Sequence, residues 1–480
     1  MLKRYGRFLA ALFLLMQSCS FGPAYEEPVT VTPENFRFAE SDPESVINLR
    51  WWTLFNDAVL DTLVAHALAN NTGVLQAVAR IEEARAQMGI SDADLYPRLD
   101  IQGGARRGSI VQGFTYNPDG AASNNFYISP VVSWEIDFWG KFRKASEAAK
   151  ARYLANEYNL RSIQISLIAE VVSTYLTYLD FRNRLRISEE TLATREESLR
   201  IIRRRFEEGI IAEIDVHQAV VQREIAAEAI PRYQRALAKT ETALSVLIGV
   251  MPKAFTFTKL YKLDFQPPEI PGGLPANLLE RRPDIRQAAN LVQAQTADIG
   301  VAQALRLPAI NLTALIGAAS SDISLLGDQV GWEASGSLFG PLFNAGKNTQ
   351  RVAAEEAQLR AAIAAYRETV LNAFREVEDA LIEVRTYARE MASKKIQLDA
   401  SESAARLSRS RYDKGVSSYL EVLETERSLF RVAQEASELQ QQYLNAYIRL
   451  YKALGGGWLN AAEEAAVQAA TEPNTSDAQQ

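Results

Sequence analysis

The sequence predicts an α+β protein dominated by very long helices, with two copies of one structural pattern in a single chain. Three observations carry this. Landmark residues recur at a constant lag. A stretch of about 60 residues contains neither proline nor glycine, far beyond the ordinary globular helix. Two shorter regions alternate apolar and polar side chains with the period of a β-strand.

The repeat is read from landmarks. Gly140-Lys141 recurs 206 residues later as Gly346-Lys347. Arg205-Phe206-Glu207-Glu208-Gly209 recurs at the same lag of 206 as Arg411-Tyr412-Asp413-Lys414-Gly415, and Gly249 recurs as Gly455. The segment before each copy matches at a lag of 211, with Ala86-Gln87-Met88-Gly89 against Ala297-Asp298-Ile299-Gly300 and Pro97 against Pro308. Each copy therefore reads as a helix, a proline stop, an extended region, Gly-Lys, a long helix, a glycine turn and a returning helix.

The long helix is the run from Lys144 to Arg205, which spans roughly 90 Å at 1.5 Å per residue. Val171, Tyr178, Leu185, Leu192, Leu199 and Phe206 stand seven apart. Their counterparts, at the lag of 206, are Val377, Val384, Met391, Leu398, Ala405 and Tyr412. A seven-residue spacing puts these side chains on one stripe of a helix. The companion positions carry Arg182, Glu189 and Arg203, so a simple two-stranded coiled coil does not fit. A sheath in which each helix packs on two neighbours does.

The extended regions supply strands. Phe126, Ile128, Pro130, Val132, Trp134, Ile136 and Phe138 alternate with Tyr127, Ser129, Val131, Ser133, Glu135 and Asp137. An earlier strand begins at Leu99, Ile101 and Gly103. In the second copy Ile310, Leu312, Ala314 and Ile316 alternate, followed by Trp332, Ala334, Gly336 and Leu338. The expectation is two strands per copy and four per chain. Either they form a small soluble sheet, or they cross a membrane. Four strands do not close a barrel, for which about eight is the practical minimum, so any barrel must be shared between chains.

Composition narrows the function. The net charge of −7 excludes a general nucleic-acid binder, which needs a basic face. With one cysteine, Cys19, and two histidines, His66 and His217, neither a disulfide framework nor a Cys/His zinc cluster is available. Both histidines are read as packed or solvated helix residues. No nucleophile motif, phosphate loop or metal pattern is present, so no enzyme activity, cofactor or metal is expected. Gly455-Gly456-Gly457 reads as a helix end.

At the N-terminus, Lys3, Arg4 and Arg7 precede a short apolar run, Phe8 to Met16, and then Ser18-Cys19. This resembles a bacterial lipoprotein signal at 1–18, with Cys19 becoming a lipidated, palmitate-bearing N-terminus. The alternative is an ordinary secretory signal with a chance cysteine. Ser20 in place of aspartate implies outer-membrane sorting.

Several motifs, in order, carry a family resemblance. They are Trp134-Glu135-Ile136-Asp137-Phe138-Trp139-Gly140-Lys141, the segment from Ala84 to Pro97, Glu280-Arg281-Arg282-Pro283-Asp284-Ile285, Pro341-Leu342-Phe343-Asn344-Ala345-Gly346, and Ala373 to Leu381. Over about residues 50–459 the chain resembles the TolC-like outer-membrane factors, in particular their OprM/NodT-type efflux lipoprotein branch. The resemblance implies a homotrimer. Its twelve strands form one outer-membrane β-barrel, continuous with a long periplasmic α-helical barrel. It further implies a periplasmic adaptor (membrane fusion) protein and an inner-membrane pump of the RND type as partners. The chain is then a passive exit duct for drugs or other small toxic compounds, in contact with outer-membrane lipid. Two readings stand beside this one: an exit duct for type I protein secretion, and a non-channel coiled-coil scaffold of the envelope.

The resemblance also implies site residues. The helix-hairpin tips, at Gly209 and Gly415, are where the adaptor docks. The periplasmic gate carries over to Glu421 and Glu424, with Asp215 at the matching place in the first copy and Tyr412 as the gate tyrosine. The family commonly has aspartate at 421 and 424, and the cation that partners the gate in some members falls at Ser417. The alternative reading of the three acids is that they sit at helix starts and favour the helix dipole. Glu135 and Asp137 are candidates for a lumen-facing acidic wall, or else ordinary residues of the polar face. The expected organisation is a signal at 1–18 and a lipid-anchored equatorial segment at 19–56. The first copy then occupies 57–249, with its hairpin about 98–138. An equatorial insertion follows at 250–275. The second copy occupies 276–459, with its hairpin about 309–343, and a disordered tail covers 460–480.

Overall fold

A computed structural model describes residues 21–28, 36–38, 51–108, 123–255, 257, 281–328 and 330–456. Cys19, the signal segment, most of the expected 250–275 insertion and the tail at 460–480 lie outside the described residues. A short 3-10 turn at Trp51–Phe55 is followed by α1 (Ala58–Asn70), α2 (Thr72–Ala93), β1 (Arg98–Gly108) and β2 (Ser123–Ile136). Next come α3 (Lys141–Glu207), α4 (Glu213–Leu247), α5 (Pro283–Ala304), β3 (Ala309–Ser320), β4 (Val330–Phe339), α6 (Lys347–Asp413) and α7 (Tyr419–Ala453).

The two copies match element by element. Helices α3 and α6 each have 67 residues, and α4 and α7 each have 35. Helices α2 and α5 each have 22. The lag drops from 211 to 206 across the strand pair, because β3 and β4 are joined by a shorter connection than β1 and β2.

The chain divides into two compact units. The first comprises Met1–Thr30, Ala79–Glu157 and Gln287–Arg367. It holds a four-stranded antiparallel sheet in the order β1-β2-β3-β4. β2 of the first copy pairs with β3 of the second, from Phe126 opposite Ser320 to Ile136 opposite Ile310. That ladder skips Ser129 and Pro130, as expected where proline brings no N–H to a central strand. β4 ends at Phe339, short of the expected 343, where Gly340 lies against the backbone of Pro308 and Pro341 follows. In the helical part of this unit, Arg85 Nη2 donates to the Tyr153 hydroxyl at 3.1 Å, Arg152 pairs with Asp298, and Gln295 Nε2 reaches Glu355 at 2.6 Å.

The second unit comprises Val31–Val78, Tyr158–Arg286 and Glu368–Gln480. Its main core gathers the Trp51 turn, α1, and segments of α3, α4 and α7. Trp51, 1% exposed, stacks on Tyr451 with ring centroids 5.2 Å apart. Phe257 meets Tyr175 and Tyr178 edge-on. Asp57 caps α1 by accepting from the Val59 and Leu60 amides, and it also accepts from the buried Tyr175 hydroxyl at 2.8 Å. Arg282, from the Glu280–Ile285 motif, donates to the Ala453 carbonyl at 2.8 Å and pairs with Asp284 and Glu376. It thereby ties the start of α5 to α6 and to the end of α7.

A run of polar side chains lines the α3–α7 contact. Asn183 Nδ2 donates to Ser437 Oγ at 3.0 Å, and Ser437 Oγ donates to Asp180 Oδ1 at 2.6 Å. Gln434 Nε2 donates to Ser188 Oγ at 3.0 Å, and Gln441 Nε2 to Thr177 Oγ1 at 2.9 Å. A buried polar seam of this kind fixes register, because each sliding step would strand a donor or acceptor.

Candidate functional site

The candidate gate residues lie at the two hairpin tips of the second unit. α3 ends in a Schellman turn: Gly209 N donates to Phe206 O at 2.8 Å, and Ile210 N to Arg205 O at 2.8 Å. α6 repeats it, with Gly415 N on Tyr412 O at 2.9 Å and Val416 N on Arg411 O at 3.0 Å. The motif needs a residue in the left-handed region, and Gly209 and Gly415 supply φ of 74° and 75°. Helices α4 and α7 then start at Glu213 and Tyr419, with no side-chain cap at Ala212 or Ser418.

A small core closes the tips. Leu199, Ile202, Ala219, Tyr419, Val422 and Leu423 are buried, and Ile211, Val216, Val220 and Tyr412 pack around them. Tyr412 is therefore part of this core. Its ring lies 5.4 Å from that of Tyr419 and is covered by the Arg205 guanidinium at 4.9 Å. Its hydroxyl, like that of Ser417, is buried without a hydrogen-bond partner among the described residues.

The acidic residues split by environment. Glu421 and Glu424 are exposed. Glu421 stands 3.5 Å from Arg411, and Glu424 pairs with Arg427 one turn on. Asp215 is half-buried in the first turn of α4, and its charge acts on the buried Tyr419, whose hydroxyl is pushed well above the usual range chiefly by burial.

The sequence reading missed a deeper set behind the tip. Glu426 of α7 is 3.5 Å from Arg409 of α6, and burial holds its carboxyl above the ordinary range despite that pair. Arg409 Nη1 also donates to Ser198 Oγ of α3 at 2.8 Å. Arg195 of α3 is 3% exposed and donates to the Gln222 carbonyl of α4. Its one sequence signal was position: it stands three after Leu192 and four before Leu199, on the flank of the apolar stripe.

At the strand–helix junction of the first unit, Glu135 pairs with Lys141 at 2.5 Å. Asp137 accepts from the Phe142 and Arg143 amides at 3.0 and 2.9 Å and pairs with the Arg143 side chain. Both carboxylates are half-buried and anchor β2 to the first turn of α3. Trp134 Nε1 donates to Leu95 O at 3.1 Å and Trp139 Nε1 to Pro308 O at 2.7 Å, which ties down the same corner. His217 lies exposed beside Glu213 at 3.7 Å, and the His66 carbonyl accepts from Asn70.

Comparison with known proteins decides the family. The profile described as "Outer membrane efflux protein" matches residues 63–250 and 274–456, so each match covers one copy of the repeat. The chain belongs to the outer membrane efflux protein family.

Two relatives and one solved structure illustrate the likeness. The chain is 32% identical over 474 residues to the probable efflux pump outer membrane protein TtgC of Pseudomonas putida, covering 97% of this chain and 98% of that one. It is 32% identical over 451 residues to the cation efflux system protein CusC of Escherichia coli, covering 93% and 97%. The outer-membrane channel OprN superposes with a TM-score of 0.85 at 29% identity, covering 92% of this chain and all of that one. As a member of this outer-membrane family the chain is a component of an efflux channel. The family is one of ducts and not of enzymes.

Proposed function

We propose that three copies of this chain close one twelve-stranded barrel in the outer membrane and a helical duct below it. The duct passes small toxic compounds outward. The observation that carries this is the sheet itself: four antiparallel strands in the order β1-β2-β3-β4, with β1 and β4 unpaired on their outer edges. Open edges with exposed apolar residues are unstable alone. Trp332, Leu338 and Phe339 of β4 and Leu99 and Ile101 of β1 are all exposed in the single chain. Pairing β1 of one copy with β4 of the next removes every edge, and bilayer-spanning sheets must be closed.

Energy comes from an inner-membrane pump of the RND type, linked through a periplasmic adaptor that docks at the Gly209 and Gly415 tips. Exposed Phe206, Ile210, Ile214, Val416 and Leu420 crown these tips, a cluster of the kind that marks a protein interface. Beside them a surface groove of about 550 Å³ is lined by Arg200, Arg203, Arg204 and Arg223 with Glu196, Glu207 and Glu224. Asp215, Tyr412, Glu421 and Glu424 form the gate. Cys19 carries the lipid anchor. Two residues on, Phe21 docks at the end of β2, its amide donating to Trp139 O at 3.3 Å and its ring edge-on to Trp139. Small-molecule efflux is favoured over protein secretion by the relatives, which are named as pump components for toluene, antibiotics, solvents and cations.

The test is reconstitution of the purified protein in a planar bilayer, combined with chemical cross-linking. A stable conductance and a cross-linked trimer are expected. Absence of conductance from a well-folded preparation would leave the envelope scaffold as the better reading. For the anchor, Cys19→Ala should abolish fatty-acid labelling, and unchanged label would refute lipidation.

A further inference from the structure

The apolar face of β4 carries a break. Its alternate residues Trp332, Ala334, Gly336 and Leu338 stand on one side of the sheet. Two small side chains therefore lie between two large ones, which are 79% and 69% exposed. Strand pairing extends the break across the sheet. Ala334 lies opposite Ala314, and Ala314 opposite Val132; Gly336 lies opposite Leu312, and Leu312 opposite Trp134. The result is a notch of about 470 Å³ across β2, β3 and β4. Trp134 walls one end, its ring held by the hydrogen bond from Nε1 to Leu95 O at 3.1 Å. A sheet that faces hydrocarbon presents an apolar band. A notch in that band leaves its walls without packing partners on one side, and a flexible apolar chain is what fills it.

The chain places such a group beside the notch. Phe21, two residues after Cys19, is fixed at the same end of the sheet, its amide on Trp139 O and its ring edge-on to Trp139. Gly22 is pressed onto α5, where a Cβ would fall 2.7 Å from Gly300 Cα. Trp139 Nε1 donates to Pro308 O at 2.7 Å. Leu312, in the notch, is four residues further along the chain, about 13 Å at strand spacing. Cys19 stays within about 7 Å of Phe21, the reach of two residues. One leaflet of a bilayer is about 15 Å of hydrocarbon, so an acyl chain attached at Cys19 is long enough to run from this corner into the notch. Tethering also decides the occupant: an attached chain is present at high effective concentration, whereas a free phospholipid loses translational freedom when it settles.

We propose that the notch formed by Val132, Trp134, Leu312, Ala314, Ala334 and Gly336 is the seat of an acyl chain borne by Cys19. Seated there, the lipid completes the apolar band of the sheet and holds the Phe21–Gly22 segment against the strand–helix corner. The anchor is then part of the packing of the first unit as well as a tether to the membrane. The proposal rests on the lipoprotein reading of Cys19.

The experiment uses the full-length protein in cells fed palmitic acid with a diazirine in mid-chain, a label that enters both lipoprotein anchors and phospholipids. After irradiation the protein is purified and digested, and its cross-links are mapped by mass spectrometry. A Cys19-bearing peptide joined to residues 309–316 or 332–338 is expected. Ala334→Leu and Gly336→Leu fill the notch and should each lower that cross-link by about fivefold or more, because a close-packed site has no room for a second occupant. Both keep the face apolar, and a Cβ at Gly336 meets only Leu312 Cδ2 at 3.5 Å, so trimer yield on native gels should be unchanged. Gly331→Leu, on the opposite face with nothing within 4 Å of its Cβ, should leave the cross-link within about twofold of the parent. Label on Cys19 with links elsewhere in the chain, or notch residues joined only to phospholipid, overturns the seat and leaves the anchor standing. Absence of label from Cys19 overturns the anchor and the seat together. Should the filling variants fail to assemble, the cross-link map of the parent protein decides alone.

Discussion

Four helix ends in this chain share one backbone geometry, and replacing their glycines by alanine separates two costs that usually travel together. Gly209, Gly415, Gly249 and Gly455 have φ of 74°, 75°, 74° and 71°. An L-residue in that region costs about 1–2 kcal/mol. The stiffer unfolded chain returns about 0.4–1 kcal/mol. At Gly209 and Gly415 nothing lies within 4 Å of the added Cβ. The net loss there is roughly 0.5–1 kcal/mol, strain alone. At Gly455 the Cβ meets Arg282 Cγ at 3.2 Å, its Cα at 3.3 Å and the Arg281 carbonyl oxygen at 3.4 Å, so side chain and backbone both have to give by a few tenths of an ångström. At Gly249 it would lie 2.2 Å from the Asn70 carbonyl oxygen and 2.7 Å from its carbon. Backbone cannot rotate aside, so the end of α1 has to move. The neighbouring Asn71, whose Nδ2 donates to Leu247 O at 2.9 Å, has to move with it. Overpacking of that kind adds about 1–3 kcal/mol, and loss of the Asn71 bond about 1 kcal/mol more. The expected order of destabilisation is Gly249→Ala, then Gly455→Ala, then the two tip variants. Denaturant unfolding of the detergent-solubilised protein, followed by circular dichroism at 222 nm, measures it. Equal losses at Gly249 and Gly209 would refute the reasoning, since the two share a φ and differ only in what surrounds the Cβ.

Three further outcomes follow from other parts of the molecule. Val132→Arg should impair trimer assembly more than Ser133→Arg, by an amount reflecting about 2–4 kcal/mol for an arginine on the lipid face; equal tolerance on native gels argues for a sheet outside the bilayer. Glu421→Gln with Glu424→Gln should weaken cation preference and block by divalent cations while stability is nearly unchanged, and the effect should be modest because Arg411 and Arg427 already offset these charges; unchanged selectivity in single-channel recordings removes them from the gate. Asp180 is held above the ordinary carboxylate range by burial, helped by Glu438 and opposed by Arg184 and Ser437. The folded state therefore binds its proton more tightly, and stability should fall as pH rises from about 4 through the raised folded value. Asp180→Asn should flatten that part of the stability–pH curve, and a parent curve that rises over the interval contradicts the assignment.

Much of the architecture was legible from residue spacing, because helix and strand periods and turn chemistry are local. The lag of 206 reappears as paired helices of equal length, and Gly209 and Gly415 end α3 and α6 as their place after a long helix implied. The strand pairs could be counted because alternation in Phe126 to Ile136 is a local property of a pleated chain. The shared barrel was reached by arithmetic on strand number, and the family by motifs spread over most of the chain.

What tertiary structure alone decided concerns polar residues, whose burial no period announces. Arg195, Asp180, Asn183 and Ser437 look like surface residues in the sequence and are buried in the second unit. Asp180 and Asn183 of α3 meet Ser437 of α7, and Arg195 of α3 lies over Phe430 of α7, each pair more than 200 residues apart along the chain. Asp137 could be placed on a polar face by alternation, but its role as the cap of α3 depends on the turn between strand and helix. Tyr412 could be aligned to a gate position, yet only packing shows its ring between Tyr419 and Arg205. The physical reason is the same in each case. Backbone preference is set by neighbours in sequence, whereas the state of a charge or hydroxyl is set by whichever groups the folded chain brings within a few ångströms.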